Sequence, residues 1–229
     1  GKTVREEKWH TLHSNVIYNS LKSNLNISCL YGPDFNRQQS LDWYTQPEFT
    51  DKLIDKINNG VSFINYIGHG TSEVLSDEHI LSLSDIDRIN ISNNKLPVWV
   101  VGTCSFGNYI NENCLAEKIL ENNNVGIAVI STTGGVSYQA NFNYLKDFFI
   151  NNLKNYLENL DSNIRLGDLF FNSKNSISSS YTFHLFGDPA IPIILPKLNP
   201  KKLSSKVLHT LLLKFLKIIC EPSSRIPNQ

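Results

Sequence analysis

Two residues suited to proton and nucleophile chemistry each follow an apolar run of the sequence. His69 stands between two glycines in "YIGHGTSEV", after the run "VSFINYI", and Cys104 stands in "LPVWVVGTCSFG". They are 104 − 69 = 35 residues apart. The thiolate is the reactive form of cysteine, and an adjacent imidazole favours that form and can protonate a departing amine. Together, the two side chains would suit nucleophilic cleavage of an amide bond.

Each of these residues also has a structural interpretation. A histidine between glycines is commonly a turn residue that closes a buried strand, and free cysteine is among the most buried residue types. Cys104 alone therefore predicts little, and the interpretation as a reactive site depends on the pair. Gly70 strengthens it, because its N–H and that of Cys104 would form a hole for a developing oxyanion.

The segments around both residues predict a sheet that brings them together. Three mostly apolar runs lie at 61–67, 97–101 and 125–130. Such runs, separated by helical patterns, are typical of a parallel sheet with helices on both faces. We therefore predict an α/β, doubly wound, mostly parallel fold. His69, Cys104 and the turn at Gly134 would then share the carboxyl edge of the sheet, where such folds bind ligands.

The remaining periodicity predicts further helices and two short strands. Helices are predicted in "SNVIYNSLKSNL", in "EFTDKLIDKINNG", in "NCLAEKILENNN" and over 142–159 and 164–174. In the second of these, Thr50 is the candidate N-cap and Gly60 marks the end. "ISCLYG" predicts a short strand, and "FHLFGDPAIPII" predicts a turn and a final edge strand that tolerates Pro192.

The composition limits the classes of partner. The 229 residues are 41% hydrophobic and 18% charged, which suits one globular domain with a sizeable core. The 21 basic and 21 acidic residues balance, so the charge favours neither nucleic acid nor an anionic membrane as a partner. The polar start "GKTVREEKWH" is unlike a signal peptide, and no run has the ~18 apolar residues that span a bilayer. The absence of methionine indicates a processed chain or a piece of a longer protein.

The cysteines and the other histidines show no metal-site spacing. Cysteines occupy positions 29, 104, 114 and 220, which match neither zinc ligands nor a dense disulfide framework. We predict that Cys29, Cys114 and Cys220 are structural. His10 and His13 have no acid or cysteine nearby at ligand spacing, and we predict that they lie on the solvated surface. No metal ion and no cofactor is predicted.

Taken in order, the motifs resemble those of a known enzyme family. The set "NYIGHG", "VVGTCSFG", "CLAEKIL", "GIAVISTTGGVSY" and "LFGDPAI" is similar to the gingipain-like cysteine peptidases, which share a caspase-like fold with caspases and legumains. The likeness covers about residues 50–195. It implies a cysteine endopeptidase that cleaves protein or peptide substrates through a thioester acyl-enzyme, with His69 and Cys104 as the catalytic dyad.

The resemblance also implies further site residues. The turn after the third strand helps to wall the specificity pocket in this family, so the candidate pocket residues are Thr103, Thr132 and Tyr138. An acidic residue orients the histidine in some relatives, and Asp34 is a candidate for that role. The tryptophan that often follows the histidine motif is absent here, since that segment reads "TSEVLSDEHI".

The chain divides at residue 196 in our interpretation. Residues 1–196 predict the peptidase catalytic subdomain, and 197–229 predict a linker and a short apolar helix that either packs on the domain or begins a following region. The resemblance implies a secreted or surface-exposed bacterial protein with an upstream subdomain and a downstream domain outside this chain. Two alternatives stay open: a sortase-like transpeptidase of a secretion system, and a catalytically silent caspase-like binding module.

Overall fold

The computed structural model describes residues 4–40, 42–91, 95–110, 113–159, 164–174 and 182–193, with side chains from Trp9 onwards. The predicted boundary at 196, the helix predicted beyond it and Cys220 therefore lie outside the described residues. Within those ranges, no helix combines the length and the apolar character needed to cross a lipid bilayer.

A four-stranded sheet forms the centre of the protein. The strands are β1 (Gln38–Gln39), β2 (Tyr44–Thr45), β3 (Phe63–Ile67), β4 (Val74–Leu75), β5 (Leu81–Ser82), β6 (Val98–Gly102), β7 (Ala128–Thr132) and β8 (Phe183–Gly187). The central sheet has the order β3-β6-β7-β8, while β1 pairs with β2 and β4 with β5 in small antiparallel hairpins. Strands β3, β6 and β7 are parallel, and β8 runs antiparallel to β7. The mostly parallel sheet of the predicted fold is confirmed.

Helices connect the strands and cover the sheet. They are α1 (Val4–Leu21), α2 (Pro47–Asn58), α3 (Leu83–Ile86), α4 (Leu115–Glu121), α5 (Tyr138–Lys146), α6 (Asn155–Asn159) and α7 (Leu166–Lys174). A 3₁₀ turn spans Gly32–Asp34, and a π-helix over Asp147–Lys154 joins α5 to α6. The helix predicted over 142–159 thus begins four residues earlier, at Tyr138.

Both faces of the sheet are buried. Successive side chains of a strand point to opposite sides, so a strand whose residues are all buried must be covered on both faces. Every residue of β3, β6 and β7 is buried. The residues of β3, β6 and β7 in the core beneath α2, α3 and α4 are Ile64, Tyr66, Trp99, Val101 and Val129. Those in the core beneath α1, α5, the π-helix and α7 are Phe63, Ile67, Val98, Val100, Ala128 and Ile130. This double burial is the physical reason for the continuous apolar runs.

Three local predictions were wrong. Helix α2 begins at Pro47 after the N-cap Gln46, and Thr50 instead donates to the carbonyl of Ile80 at 2.9 Å. The segment "ISCLYG" belongs to no strand, although Ile27, Cys29 and Tyr31 pack against the core beneath α1. The last strand is Phe183–Gly187, and Pro192 forms only an isolated bridge with Arg165.

Candidate active site

The ends of β3 and β6 place His69 and Cys104 at equivalent positions. Ile67 pairs with Gly102 in the parallel ladder, and the N–H of Gly68 donates to the carbonyl of Gly102 at 3.2 Å. His69 and Cys104 each lie two residues beyond that pair, at the carboxyl edge of the sheet. The two residues therefore follow neighbouring parallel strands at the same edge of the sheet.

The turn that follows β7 contacts the sulfur of Cys104. The backbone N–H of Val136 donates to Sγ at 3.4 Å, and the carbonyl oxygen of the same residue lies 3.5 Å away. Cys104 is half-buried, and these two backbone groups hold its sulfur against the turn. The third strand end thus joins the other two, as the sequence predicts.

The backbone reverses direction directly after Cys104. Ser105 adopts a φ of 57°, in the left-handed region that is unfavourable for a residue with a side chain. Its N–H donates to the carbonyl of Gly134 at 3.0 Å and to Oγ1 of Thr132 at 3.1 Å. The Thr132 hydroxyl in turn donates to the carbonyl of Thr103. These bonds fasten both neighbours of Cys104 to the β7 turn.

Two hydrogen bonds hold the backbone of His69. Its carbonyl accepts from the hydroxyl of Tyr66 at 2.6 Å and from the N–H of Ser76 at 2.8 Å. The Ser76 hydroxyl donates to the carboxylate of Glu78, which pairs with Arg37 at 2.6 Å. Burial opposes the ionised form of Glu78, but the Ser76 hydrogen bond and the Arg37 charge lower its pKa overall. The His69 backbone is thus fixed by a buried, charge-paired loop.

Helix α1 packs two further histidines beside the site. The ring of His10 lies edge-on to that of His69, with centroids 5.2 Å apart and planes at 84°. His13 stacks on Phe142 at a centroid distance of 3.9 Å. Both are only 5% exposed, so the prediction of a solvated surface was wrong. Burial lowers the pKa of His13 to about 4, and burial together with the neighbouring His69 and His13 lowers the pKa of His10 to about 4.

The burial of these histidines follows from the helical repeat of α1. From Trp9 onwards, the buried residues of this helix are His10, His13, Ser14, Ile17 and Leu21. Spacings of three and four place them on one face of a helix. The sequence signal was therefore present, but only when the two histidines are counted with the apolar residues of the repeat.

Gly70 occupies a position where no side chain fits. A Cβ atom there would lie 2.8 Å from Oγ1 of Thr103 and 3.1 Å from the carbonyl oxygen of Val74. Gly70 faces Leu75 in an isolated antiparallel bridge, whose hydrogen bonds are made by the residues on either side. Among the described residues, no backbone carbonyl accepts from the N–H of Gly70 or from that of Cys104.

The motifs around these residues match one family along most of the chain. A model of peptidase family C25 matches residues 4–194. The chain belongs to peptidase family C25. No curated protein matches it.

Two solved structures have a similar fold to this C25 chain. The Arg-specific cysteine proteinase gingipain R has 21% identity and a TM-score of 0.64, over 79% of this chain and 42% of that one. The complex of the RgpB pro- and mature domains from Porphyromonas gingivalis has 20% identity and a TM-score of 0.60, over 78% and 42%. These likenesses confirm the expected caspase-like α/β fold. The chain spans less than half the length of these relatives.

The candidate pocket residues of the C25 chain differ in exposure. Thr103 and Thr132 are fully buried and join the loops at the strand ends. Tyr138 is 43% exposed at the start of α5, two residues after Val136. Its ring stacks on that of Trp9, which is 36% exposed, at a centroid distance of 6.0 Å. Trp9 was missed from sequence because α1 has no motif that ties it to the strand ends.

The other candidate acid and the remaining described cysteines belong to other elements of the fold. Asp34 is in the 3₁₀ turn and makes no described hydrogen bond or ion pair with His69. Cys114 is buried at the N-cap of α4, as its predicted structural role requires. Cys29 is half-buried against the core beneath α1. In the part of the chain that the structure describes, no group of three or more potential metal-ligating side chains is close enough to hold an ion.

Proposed function

We propose that this chain carries the reactive centre of a cysteine endopeptidase, with Cys104 as the nucleophile and His69 as the general acid and base. One observation carries this proposal. The ladder of β3 and β6 ends in register, so the imidazole and the thiol follow the same pair of residues at the same edge of the sheet. Membership of peptidase family C25 supports the same assignment.

The dyad would cleave an amide bond in two steps. The proton of the Cys104 thiol passes to the His69 ring, and the thiolate attacks the substrate carbonyl carbon. When the tetrahedral intermediate collapses, His69 gives that proton to the leaving amine and a thioester remains. In the second step His69 takes a proton from water and the hydroxide adds to the thioester. The carbon–sulfur bond then breaks, the carboxylic acid leaves, and His69 returns the proton to the sulfur of Cys104.

The backbone amides of Gly70 and Cys104 would stabilise the oxyanion of each intermediate. Neither N–H donates to a described backbone carbonyl, so both are available to a substrate oxygen. The contact between Gly70 and Thr103 supports this assignment, because a side chain at residue 70 would displace the loop. An oxyanion-hole donor of this kind is typically worth about 100- to 1,000-fold in kcat.

The substrate side chain would lie against the aromatic rings at the mouth of the site. Tyr138 is exposed and follows the turn that contacts Cys104, which supports its role as a pocket wall. Thr103 and Thr132 would shape the pocket from beneath through their hydrogen-bonded loops. We propose a protein or peptide substrate, an extracellular or cell-surface location, and a further subdomain that completes the pocket in the longer relatives.

Labelling by an electrophilic peptide tests this proposal directly. An acyloxymethyl ketone library, varied at the residue before the scissile bond, is applied to the full-length protein and to its Cys104→Ala, His69→Ala and Cys114→Ala variants. We expect Cys104→Ala to abolish labelling, His69→Ala to slow it by about 100-fold or more, and Cys114→Ala to preserve it.

Two other outcomes separate the alternatives. A folded protein that no probe labels would contradict the enzyme proposal and leave the binding module. If labelling succeeds, an added amine such as glycylglycine competes with water for the thioester formed from a peptide substrate. Capture of the acyl group by the amine in preference to water would identify a transpeptidase, and release of the free acid identifies a peptidase.

A further inference from the structure

His10 is a buried polar side chain that the proposed dyad chemistry leaves without a role. It is 5% exposed, and neither of its ring nitrogens has a hydrogen-bond partner in the described structure. Buried side-chain nitrogens are nearly always hydrogen-bonded, so an exception requires an explanation. The explanation here begins with the neighbour of His10, which is the ring of His69.

We propose that His10 is the positioning residue of His69: its uncharged ring sets the tilt of the His69 ring, and its ring nitrogen stabilises the imidazolium that forms when Cys104 is deprotonated. This inference rests on the proposed function, because it assigns His10 a role in the reaction of that dyad.

The geometry supports the first half of this role. The carbonyl of His69 is held by Tyr66 and Ser76, so the backbone from which its side chain projects is fixed. The His10 ring stands nearly perpendicular to that side chain at a centroid distance of 5.2 Å, which blocks rotation towards α1. His10 projects from the buried face of an 18-residue helix, and a regular helix fixes a supporting side chain more rigidly than a loop does.

The charge state of His10 supports the second half. A neutral imidazole offers one nitrogen lone pair, which interacts favourably with an adjacent imidazolium, whereas a protonated ring would repel it. Burial is the main reason that the pKa of His10 falls to about 4, so the ring stays neutral near pH 7. Among the described residues, the ionisable side chains that act on it are those of His69, from the loop after β3, and His13, one turn along α1.

His13 provides a matched control within the same helix. It has the same 5% exposure, and burial lowers its pKa to the same value of about 4. Its described ring contacts are with Trp9, Tyr138 and Phe142, whereas the described ring contact of His10 is with His69. If a substitution acts only by disturbing the packing of α1, His10 and His13 variants should have similar effects. An effect on the dyad through the His69 ring is expected for His10 variants alone.

The test compares His10→Phe, His10→Gln and His13→Phe in the full-length protein. Phenylalanine keeps a ring against His69 without a nitrogen, and glutamine keeps a polar group without a ring. We expect His10→Phe to lower kcat about 10-fold with KM within about 2-fold, because the lost interaction is with the imidazolium formed in the reaction and not with the substrate. The alkaline limb of the kcat/KM pH profile should move down by about half a pH unit, because the imidazolium loses its stabilising neighbour. In His10→Gln the alkaline limb should move down by less than in His10→Phe. In His13→Phe it should stay at the wild-type pH.

Two results would overturn the inference. One is an unchanged alkaline limb in both His10 variants, and the other is an equal shift in His13→Phe. Circular dichroism confirms folding, and if His10→Phe fails to fold, His10→Gln alone decides. Probe labelling of wild-type Cys104 separates a failure of the proposed function from a failure of the His10 role. Failure to label overturns the proposed function together with this inference. Normal labelling with an unmoved pH limb overturns the positioning role of His10 alone.

Discussion

Cys104 and Cys114 are 10 residues apart, and each lies at the boundary of an element, yet their surroundings are opposite. Cys104 is half-buried at the end of a strand, and backbone groups of Val136 contact its sulfur. Cys114 is 1% exposed at the start of α4, and its thiol donates to the carboxylate of Glu117 at 3.3 Å. Burial raises the pKa of Cys114 to about 11, and the Glu117 carboxylate adds to the effect. A helix start therefore does not activate a thiol that is buried beside a carboxylate.

The largest expected difference between the two cysteines is their rate of alkylation. With its pKa raised to about 11 by burial, the Cys114 thiol is ionised in only about one molecule in 3,000 at pH 7.5. We expect iodoacetamide to modify Cys104 at least about 100-fold faster, as measured by mass spectrometry of the modified peptides. Glu117→Gln should leave Cys114 slow, because burial is the larger cause of its raised pKa. Equal alkylation rates at Cys104 and Cys114 in the folded protein would contradict the proposed difference in reactivity between the two thiols.

A smaller effect is expected at the glycine beside the dyad. In Gly70→Ala the new methyl group would meet Thr103 and Val74, so the loop must shift and carry the proposed oxyanion donor with it. We expect kcat/KM to fall by about 100-fold, while alkylation of Cys104 and Cys114 changes little.

Gly134→Ala is the control for this substitution, since a Cβ atom at that position meets nothing within 4 Å. It should retain kcat/KM within about 3-fold, because the added methyl group would enter open space and leave the loop in place. Thr103→Ala combined with Gly70→Ala should restore part of the activity by removing the closest contact. Equal losses of kcat/KM in Gly70→Ala and Gly134→Ala would contradict the steric explanation.

The smallest effect is a difference in alkaline stability. Native Cys114 keeps its proton until about pH 11, because burial raises its pKa. In the unfolded chain the same thiol ionises at about pH 8.5. Between these values the unfolded state binds fewer protons, so the contribution of Cys114 to stability is complete below about pH 8.5 and falls as the pH rises.

Urea unfolding of the wild type and of Cys114→Ala at several pH values measures this contribution. The free energy of unfolding of the wild type, relative to that of the variant, should decline by up to about 1.4 kcal/mol per pH unit above pH 9. Comparison with the variant cancels the other groups that titrate in this range. A difference that stays constant up to pH 11 would show that Cys114 ionises alike in both states.

The sheet and its carboxyl edge could be predicted from sequence because they depend on local patterns. Strands buried on both faces must be continuously apolar, and the predicted strand ends at 67, 101 and 130 lie within two residues of those observed. The positions of His69 and Cys104 then follow from chain connectivity. The roles of both residues in catalysis stay predictions that the proposed experiments test.

The remainder of the site could not be predicted because it depends on long-range packing. His10 and His13 are polar by type, and only the placement of α1 against the sheet shows that they are buried. Thr50 has the residue type of a helix cap, yet a carbonyl 30 residues away competes for its hydroxyl. The antiparallel direction of β8 has no local signal either, since the sequence "FHLFG" would suit a strand of either direction.

The left-handed conformation of Ser105 has a consequence for the timing of the proposed reaction. A backbone of this kind costs about 1–2 kcal/mol for a residue other than glycine, and two hydrogen bonds from its N–H offset that cost. The molecule adopts this unfavourable geometry once, when it folds, and not in each catalytic cycle. The sulfur of Cys104 is therefore already in place when a substrate arrives, and binding need not supply the entropy of ordering it.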